Sequence, residues 1–259
     1  MPELPDLQVF SRNLNKKLSG KTIKKITVVN DKKLNVSKNE LKKSLEGQVL
    51  SKISRAGKEL HFEFEDGTVL GLHLMLHGKL YLFEETNEEK NTIIELLFDD
   101  DTGLALTDFQ GAATLTLNPE PRDAPDALSK EVDFDSLKEQ LKKKKTTIKN
   151  FLLDQNMIRG IGNAYADEIL WDARISPFSV CNKIPDDKIK TLAKSIKTVL
   201  QDAEKQILKT HPDIIAGEVR DFMNIHNVKK KHSDTGAAIH YKMVSSRKTY
   251  YTDEQELFK

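Results

Sequence analysis

The spacing of apolar residues changes partway along this chain, and the change decides how it can fold. From residue 21 to about 118, apolar and polar side chains alternate in KTIKKITVV, LHFEFEDGTVLGLHLML, GKLYLF, TIIELLF and GLALTD. A period of two places one face of a strand on a core and the other in water. EDG at 65–67 and DDDTG at 99–103 separate the runs with turn residues, which brings neighbouring strands back antiparallel. Beyond residue 135 the period becomes three to four. SLKEQLKKKKTTIKNFLLD, NAYADEILWDARI, DDKIKTLAKSIKTVLQDAEKQIL and GEVRDFMN there read as helices. The proline-rich NPEPRDAPDAL at 118–128 lies between the two regimes, so the pattern predicts two domains joined by a linker.

The fold class expected is therefore α+β. Residues 1–118 form an amphipathic helix over 6–19, on which Leu7, Phe10, Leu14 and Leu18 share a face and Gly20 is the stop, followed by an antiparallel β-sandwich. Residues 119–134 are the linker and 135–224 the helical domain. Residues 225–259 change again: Ile239, Tyr241 and Met243 follow one alternation and Thr249 and Tyr251 another, a hairpin turning at Ser245–Ser246. A lone hairpin is marginal in water, so it must dock on the helical domain or on a ligand. The chain's 259 residues suffice for this arrangement.

Composition removes several function classes. No apolar run reaches membrane-spanning length, so no membrane partner is expected. Nothing like a leader precedes Pro2, which predicts a cytosolic protein processed only at Met1. Cys181 is the single cysteine, which excludes an intrachain disulfide and any cysteine-cluster metal site. The net charge of +1 does not itself point to nucleic acid. It does conceal basic clusters at Lys16–Lys25, Lys142–Lys149, Lys229–Lys231 and Arg247–Lys248, set against acidic ones at Glu84–Glu89 and Asp99–Asp101.

Two short stretches carry chemistry. In MPELPD, prolines at 2 and 5 stop a helix from running through the terminus and stiffen it. Removal of Met1 would leave Pro2 as a secondary amine, less basic than lysine and nucleophilic near neutral pH. In GIGN, Gly160 and Gly162 bracket a turn and Asn163 opens a helix. The exposed N–H groups of such a turn suit a phosphate, although the glycines alone also fit a plain helix–turn–helix.

Taken at full length, GIGNAYADEILWDARISP resembles the helix–two-turn–helix of the formamidopyrimidine-DNA glycosylase / endonuclease VIII family. The PELPD start, SRAGKELHFEF around Lys58, HLMLHGKLYL at 73–82 and SSRKTYY near the C-terminus resemble the same family, in the same order along the chain. The resemblance implies a bilobal enzyme of base excision repair, acting as glycosylase and AP lyase on damaged double- or single-stranded DNA, monomeric and without a cofactor. It implies that Pro2 attacks C1′ and forms a Schiff base, that Glu3 handles the proton transfers, and that Lys58, Asn163 and Arg247 hold phosphates, with Gly162 at the same turn. Glu168 matches a family carboxylate whose role is catalytic, DNA-binding or a buried salt bridge.

Departures from the family pattern carry information too. The family's C-terminal element is a zinc finger with two CxxC pairs. Here His232, Thr235, Thr252 and Gln255 stand at the four ligand positions, and hydroxyl and amide side chains are poor zinc ligands. The resemblance therefore implies a zincless finger with no bound metal, in which Tyr241, Tyr250 and Tyr251 supply packing. The wedge that fills the gap left by a flipped base is also altered: Leu76 stands at the family's Met position beside Met75, and TDFQGAATL offers only Phe109 and Gln110. These changes turn the expectation from 8-oxoguanine toward oxidised pyrimidines, ring-opened purines or lesions in single strands. A catalytically inactive or lyase-only relative that grips damaged DNA is the competing reading, and an RNA-associated protein a weaker one.

Overall fold

The computed structural model describes residues 1–259. It contains two compact units, Met1–Pro121 with Ile207–Glu218 and Arg122–Gln206 with Val219–Lys259.

The first unit opens with α1 (Leu4–Leu18). Then come β1 (Ile23–Val28), α2 (Lys38–Leu45), β2 (Leu50–Ala56), β3 (Glu59–Phe64) and β4 (Val69–His73), followed by β5 (Lys79–Glu84), β6 (Thr92–Phe98), β7 (Thr102–Thr107) and β8 (Thr114–Leu117). The strands form two antiparallel four-stranded sheets, ordered β1-β6-β7-β5 and β2-β3-β4-β8. Both sheets contribute to one core, which Leu7, Phe10, Leu14 and Leu18 of α1 complete. Burying each such side chain is worth roughly 1.5–3 kcal/mol, so the helix is integral to the sandwich.

Three elements, β2, β8 and α2, lie outside the runs expected from the sequence. In β2 the apolar residues Leu50 and Ile53 are three apart, because a register shift against β3 lies between Leu50 and Lys52. An extra residue of that kind turns the following side chains onto the other face. β8 alternates but has only four residues, and α2 is two turns long, capped by Ser37, whose hydroxyl accepts from the Glu40 N–H.

The second unit holds α3 (Phe134–Lys142), α4 (Ile148–Leu153), α5 (Asn163–Asp172), most of α6 (Asp186–Thr210) and the hairpin β9 (His240–Val244) and β10 (Arg247–Tyr251). The segment expected as one helix over 136–154 is two. Lys143 closes α3, and Thr147 caps α4 by accepting from Asn150 N–H at 3.4 Å. Lys142 at the end of α3 and the three lysines that follow it, Lys143 to Lys145, disfavour continuation through like-charge repulsion. GEVRDFMN is not helical: a side chain, described below, takes the N–H groups of its last residue and the two after it. Part of the expected linker is packed rather than loose. Ala127 and Val132 are buried, Ala127 N–H donates to Arg159 O at 2.9 Å, and Arg159 Nε donates to Ala124 O at 2.7 Å. No helix is long and apolar enough to cross a membrane.

Candidate functional site

The residues singled out in the first unit lie at the start of α1, at one hairpin tip and in two loops. Glu3 is the N-cap of α1. Its N–H donates to Asp6 Oδ2 at 2.9 Å, and its own carboxylate accepts from the Asp6 N–H. This reciprocal cap uses two of the donors a helix start leaves open, and Pro5 in the first turn has no N–H to satisfy. Pro2, Glu3 and Asp6 are all buried, so the terminus is held from its second residue onward. The Met1 ammonium pairs with Glu218. While Met1 remains, the Pro2 nitrogen is a tertiary amide; the amine appears only on its removal.

Lys58 lies at the β2–β3 tip, where Ala56 pairs with Glu59 and leaves a two-residue turn of Gly57 and Lys58. Gly57 takes φ +62°, a value that suits glycine at the first position of such a turn. Arg55 fixes the tip: its Nε donates to Gln8 Oε1 of α1 at 2.9 Å and its NH1 to Gly57 O at 3.2 Å. Pattern reading did not single out Arg55.

The two loops carry exposed apolar residues. Met75 at φ +53° and Leu76 stand in a tight turn closed by Gly78 N–H to Leu74 O at 2.8 Å. A Cβ at position 78 would lie 2.3 Å from that carbonyl oxygen, so only glycine fits. Phe109 is 64% exposed, unusual for a phenylalanine and a sign of an interaction surface. Its ring lies 4.4 Å from that of His77, which joins the two loops. Asp108 sets the second loop. Buried, it accepts from the N–H groups of Gln110 at 2.9 Å and of Ala112 and Ala113 at 2.8 Å each. The Asp-x-x-Gly spelling of this turn was legible in the sequence; the ring partner His77 had no comparable signal.

In the second unit, Gly162 is the N-cap of α5 and Asn163 its first residue. Gln155 braces the preceding turn. Its Oε1 accepts from Gly160 N–H at 2.9 Å, while its Nε2 donates to Leu153 O at 3.0 Å and Ile161 O at 2.9 Å. Asn163 Nδ2 donates to Lys248 O at 3.0 Å, which sets it beside the hairpin that carries Arg247. That hairpin pairs Tyr250 with Tyr241 and Arg247 with Val244, and its turn residues Ser245 and Ser246 both have positive φ. Tyr250 is buried with Trp171 and Ile225, and Tyr251 meets Phe178 edge-on at 5.0 Å. Tyr241 instead remains exposed under the Lys248 ammonium, 4.0 Å from its ring centre.

Glu168 faces a different segment. Its carboxylate accepts from the N–H groups of Asn224, Ile225 and His226 at 2.8–2.9 Å and from Asn224 Nδ2 at 3.0 Å. Four donors occupy both oxygens, which gives this residue a structural task and explains why the chain approaching residue 224 needs no helix. Its neighbour Asp167 is fully buried. It pairs with Lys149 Nζ at 2.6 Å and His226 Nδ1 at 2.7 Å, and accepts from Tyr250 N–H at 3.0 Å.

Of the four residues expected at the family's ligand positions, three are hydrogen-bonded within the protein. Thr235 and Thr252 hydroxyls both donate to Glu254 Oε2, at 2.8 and 3.3 Å. Gln255 accepts from Thr252 N–H at 2.9 Å and donates to Ile175 O at 2.9 Å, and His232 is exposed.

Comparison with known proteins identifies the family and the fold. Residues 1–115 match the formamidopyrimidine-DNA glycosylase N-terminal domain and residues 124–211 the H2TH domain of the same enzymes. A formamidopyrimidine-DNA glycosylase of Lactobacillus gasseri is 35% identical over 80% of this chain and 78% of its own. One from Ligilactobacillus salivarius is 34% identical over 76% and 75%. A solved Lactococcus lactis Fpg in complex with abasic-site DNA superposes with a TM-score of 0.86 at 29% identity, covering 97% of this chain and 98% of that one. The same Lactococcus protein with DNA containing an oxidised pyrimidine gives 0.87 at 30%, with the same coverage. The chain belongs to the formamidopyrimidine-DNA glycosylase / endonuclease VIII family, the DNA glycosylases of base excision repair.

Proposed function

We propose that this protein is a bifunctional glycosylase and AP lyase that binds damaged DNA and cleaves it through an amine at Pro2. The observation that carries the reading is the buried, reciprocally capped start of α1, which holds Pro2 and Glu3 in a fixed geometry of the kind a nucleophile and its proton-transfer partner require. Once Met1 is removed, the Pro2 nitrogen attacks C1′, the glycosidic bond breaks and the base leaves with its electron pair. The nitrogen gives up its proton as the sugar ring opens to an iminium ion, and Glu3 is the group that passes a proton to the departing ring oxygen. Loss of a proton from C2′ then expels the 3′-phosphate by β-elimination. Lys58, Asn163 and Arg247 act as phosphate contacts that fix register without reading sequence.

Phe109, backed by His77, is the wedge that fills the space of the flipped nucleotide, with Leu76 and Met75 beside it and Gln110 on the same loop. The Phe109 ring and the Leu76 and Met75 side chains lack the hydrogen-bonding fork of an arginine, which favours oxidised pyrimidines and ring-opened purines over a lesion read through its partner base. Borohydride trapping on an abasic-site duplex tests the mechanism. A covalent protein–DNA adduct is expected, and Pro2→Gly should abolish it. Tight binding without any adduct would instead establish the non-catalytic DNA-binding reading.

A further inference from the structure

The ordered hairpin raises the question of what anchors its base, because the residues present do not suit the zinc of the family's finger. Two of the four ligand positions are threonines and one is a glutamine, and the polar atoms of all three are already hydrogen-bonded within the protein. A metal would have to break those bonds to gain three poor ligands.

We propose that the carboxylate of Glu254 takes the place of the metal, tying the hairpin base to α5 and thereby holding Arg247 in position. Four groups from three parts of the chain converge on its Oε2. Thr235 arrives from the turn that precedes β9 at 2.8 Å, and Thr252 from just past the end of β10 at 3.3 Å. From α5, the Trp171 indole N–H arrives at 3.3 Å, and just past its end the Arg174 guanidinium at 3.0 Å. Two of these donors are the side chains at ligand positions, so the anion gathers the segments a cation would otherwise gather, with the polarity of the contacts reversed. Arg174 also stacks on Trp171, 4.7 Å from its ring, which fixes the pair as a unit. The backbone continues the junction: Glu256 N–H donates to Arg174 O at 3.1 Å, and Ser176 N–H to Glu256 O at 2.8 Å. The Thr235 hydroxyl first, then the charge of Arg174 and the Trp171 and Thr252 donors, also hold the Glu254 carboxyl below the ordinary glutamate range. Hydrogen bonds to an ionised acceptor are the strong ones in proteins, and this cluster occupies the site without recruiting anything from solution.

Hydrogen exchange of the free protein tests the hub without DNA, following the peptide over residues 240–258. Glu254→Ala is expected to speed exchange there at least tenfold and to shift the emission of Trp171, the only tryptophan. Glu254→Gln, which keeps the size and an acceptor oxygen, should fall between it and the wild type. Glu256→Ala, which removes only the Lys188 ion pair beside the junction, should change neither readout, and a chelator should leave the wild type unaltered. Wild-type exchange in Glu254→Ala, an equal effect of Glu256→Ala, or loosening by chelator would each overturn the proposal.

The effect on Arg247 rests on the DNA-binding reading above and has its own readout. Glu254→Ala is expected to weaken binding to an abasic-site duplex about tenfold, and unchanged affinity alongside faster exchange would overturn that part. Failure of the wild-type protein to bind the duplex would instead count against the DNA-binding reading and leave the exchange result standing.

Discussion

Replacing Asp108 by alanine strips three hydrogen bonds from one loop and leaves both sheets of the sandwich intact. A hydrogen bond to a charged acceptor is worth about 1.5–3 kcal/mol, so simple addition would give ~5–9 kcal/mol for the three. That sum overstates the loss. Gln110 is exposed and Ala112 half-buried, so water can replace the carboxylate at both. Ala113 is buried, and its N–H bears the full cost of desolvation, about 1–3 kcal/mol. The net expectation is a loss of about 2–4 kcal/mol, within the stability typical of a domain, so the protein stays folded while the loop carrying Phe109 loosens. Asp108→Asn keeps one carboxamide oxygen but turns an NH2 toward at least one of the donors, and should cost about half as much. Urea unfolding at constant m-value measures the first effect. Excision of a pyrimidine lesion from a duplex, compared with cleavage of a preformed abasic site, measures the second and should fall more. A shift below about 1 kcal/mol, or alanine and asparagine costing the same, would refute the reasoning.

Three further outcomes follow from the same contacts. Lys149→Met leaves the fully buried Asp167 without its ammonium partner and is expected to cost about 3–5 kcal/mol in urea unfolding; a loss under 1 kcal/mol would show that His226 and the Tyr250 N–H suffice. Arg247→Ala should lower the slope of log affinity against log salt for abasic-site DNA by about 0.9, with little change in lesion preference; an unchanged slope removes the phosphate assignment. Cys181 is buried, and its thiol is pushed up to about 12, so at pH 8 it stays protonated and should not react with a thiol reagent until urea unfolds the chain; prompt reaction in native buffer would contradict its placement.

How much of this could be read from the residues depends on the range of the interaction concerned. Leu7, Phe10, Leu14 and Leu18 announce α1 because helical neighbours are close in sequence, but its Glu3 cap and its start at Leu4, ahead of Pro5, do not follow from the expectation that the prolines stop the helix. The Ser245–Ser246 turn is visible because the alternation breaks there, and the structure places both serines at positive φ. β2 escaped because its register shift hides the period. The roles of Arg55, His77, Gln155 and Glu254 depend on partners brought close by folding, and no local pattern reports those. Glu168 shows the gap most clearly. Its neighbours in sequence say that it lies on a helix, while its four donors come from residues 56 to 58 positions further on.

The adjacent acids Asp167 and Glu168 also imply an order of assembly. Lys149 and Asp167, on neighbouring helices, are 18 residues apart, whereas the contacts from Asp167 to Tyr250 and from Lys149 to Thr249 close loops of 83 and 100. Short loops close at lower entropic cost than long ones. Refolding should therefore form α4 and α5 as a pair first and seat the hairpin last, onto carboxylates already in place. Stopped-flow refolding would show this as far-ultraviolet ellipticity recovering ahead of Trp171 emission, and coincident recovery of the two signals would rule it out.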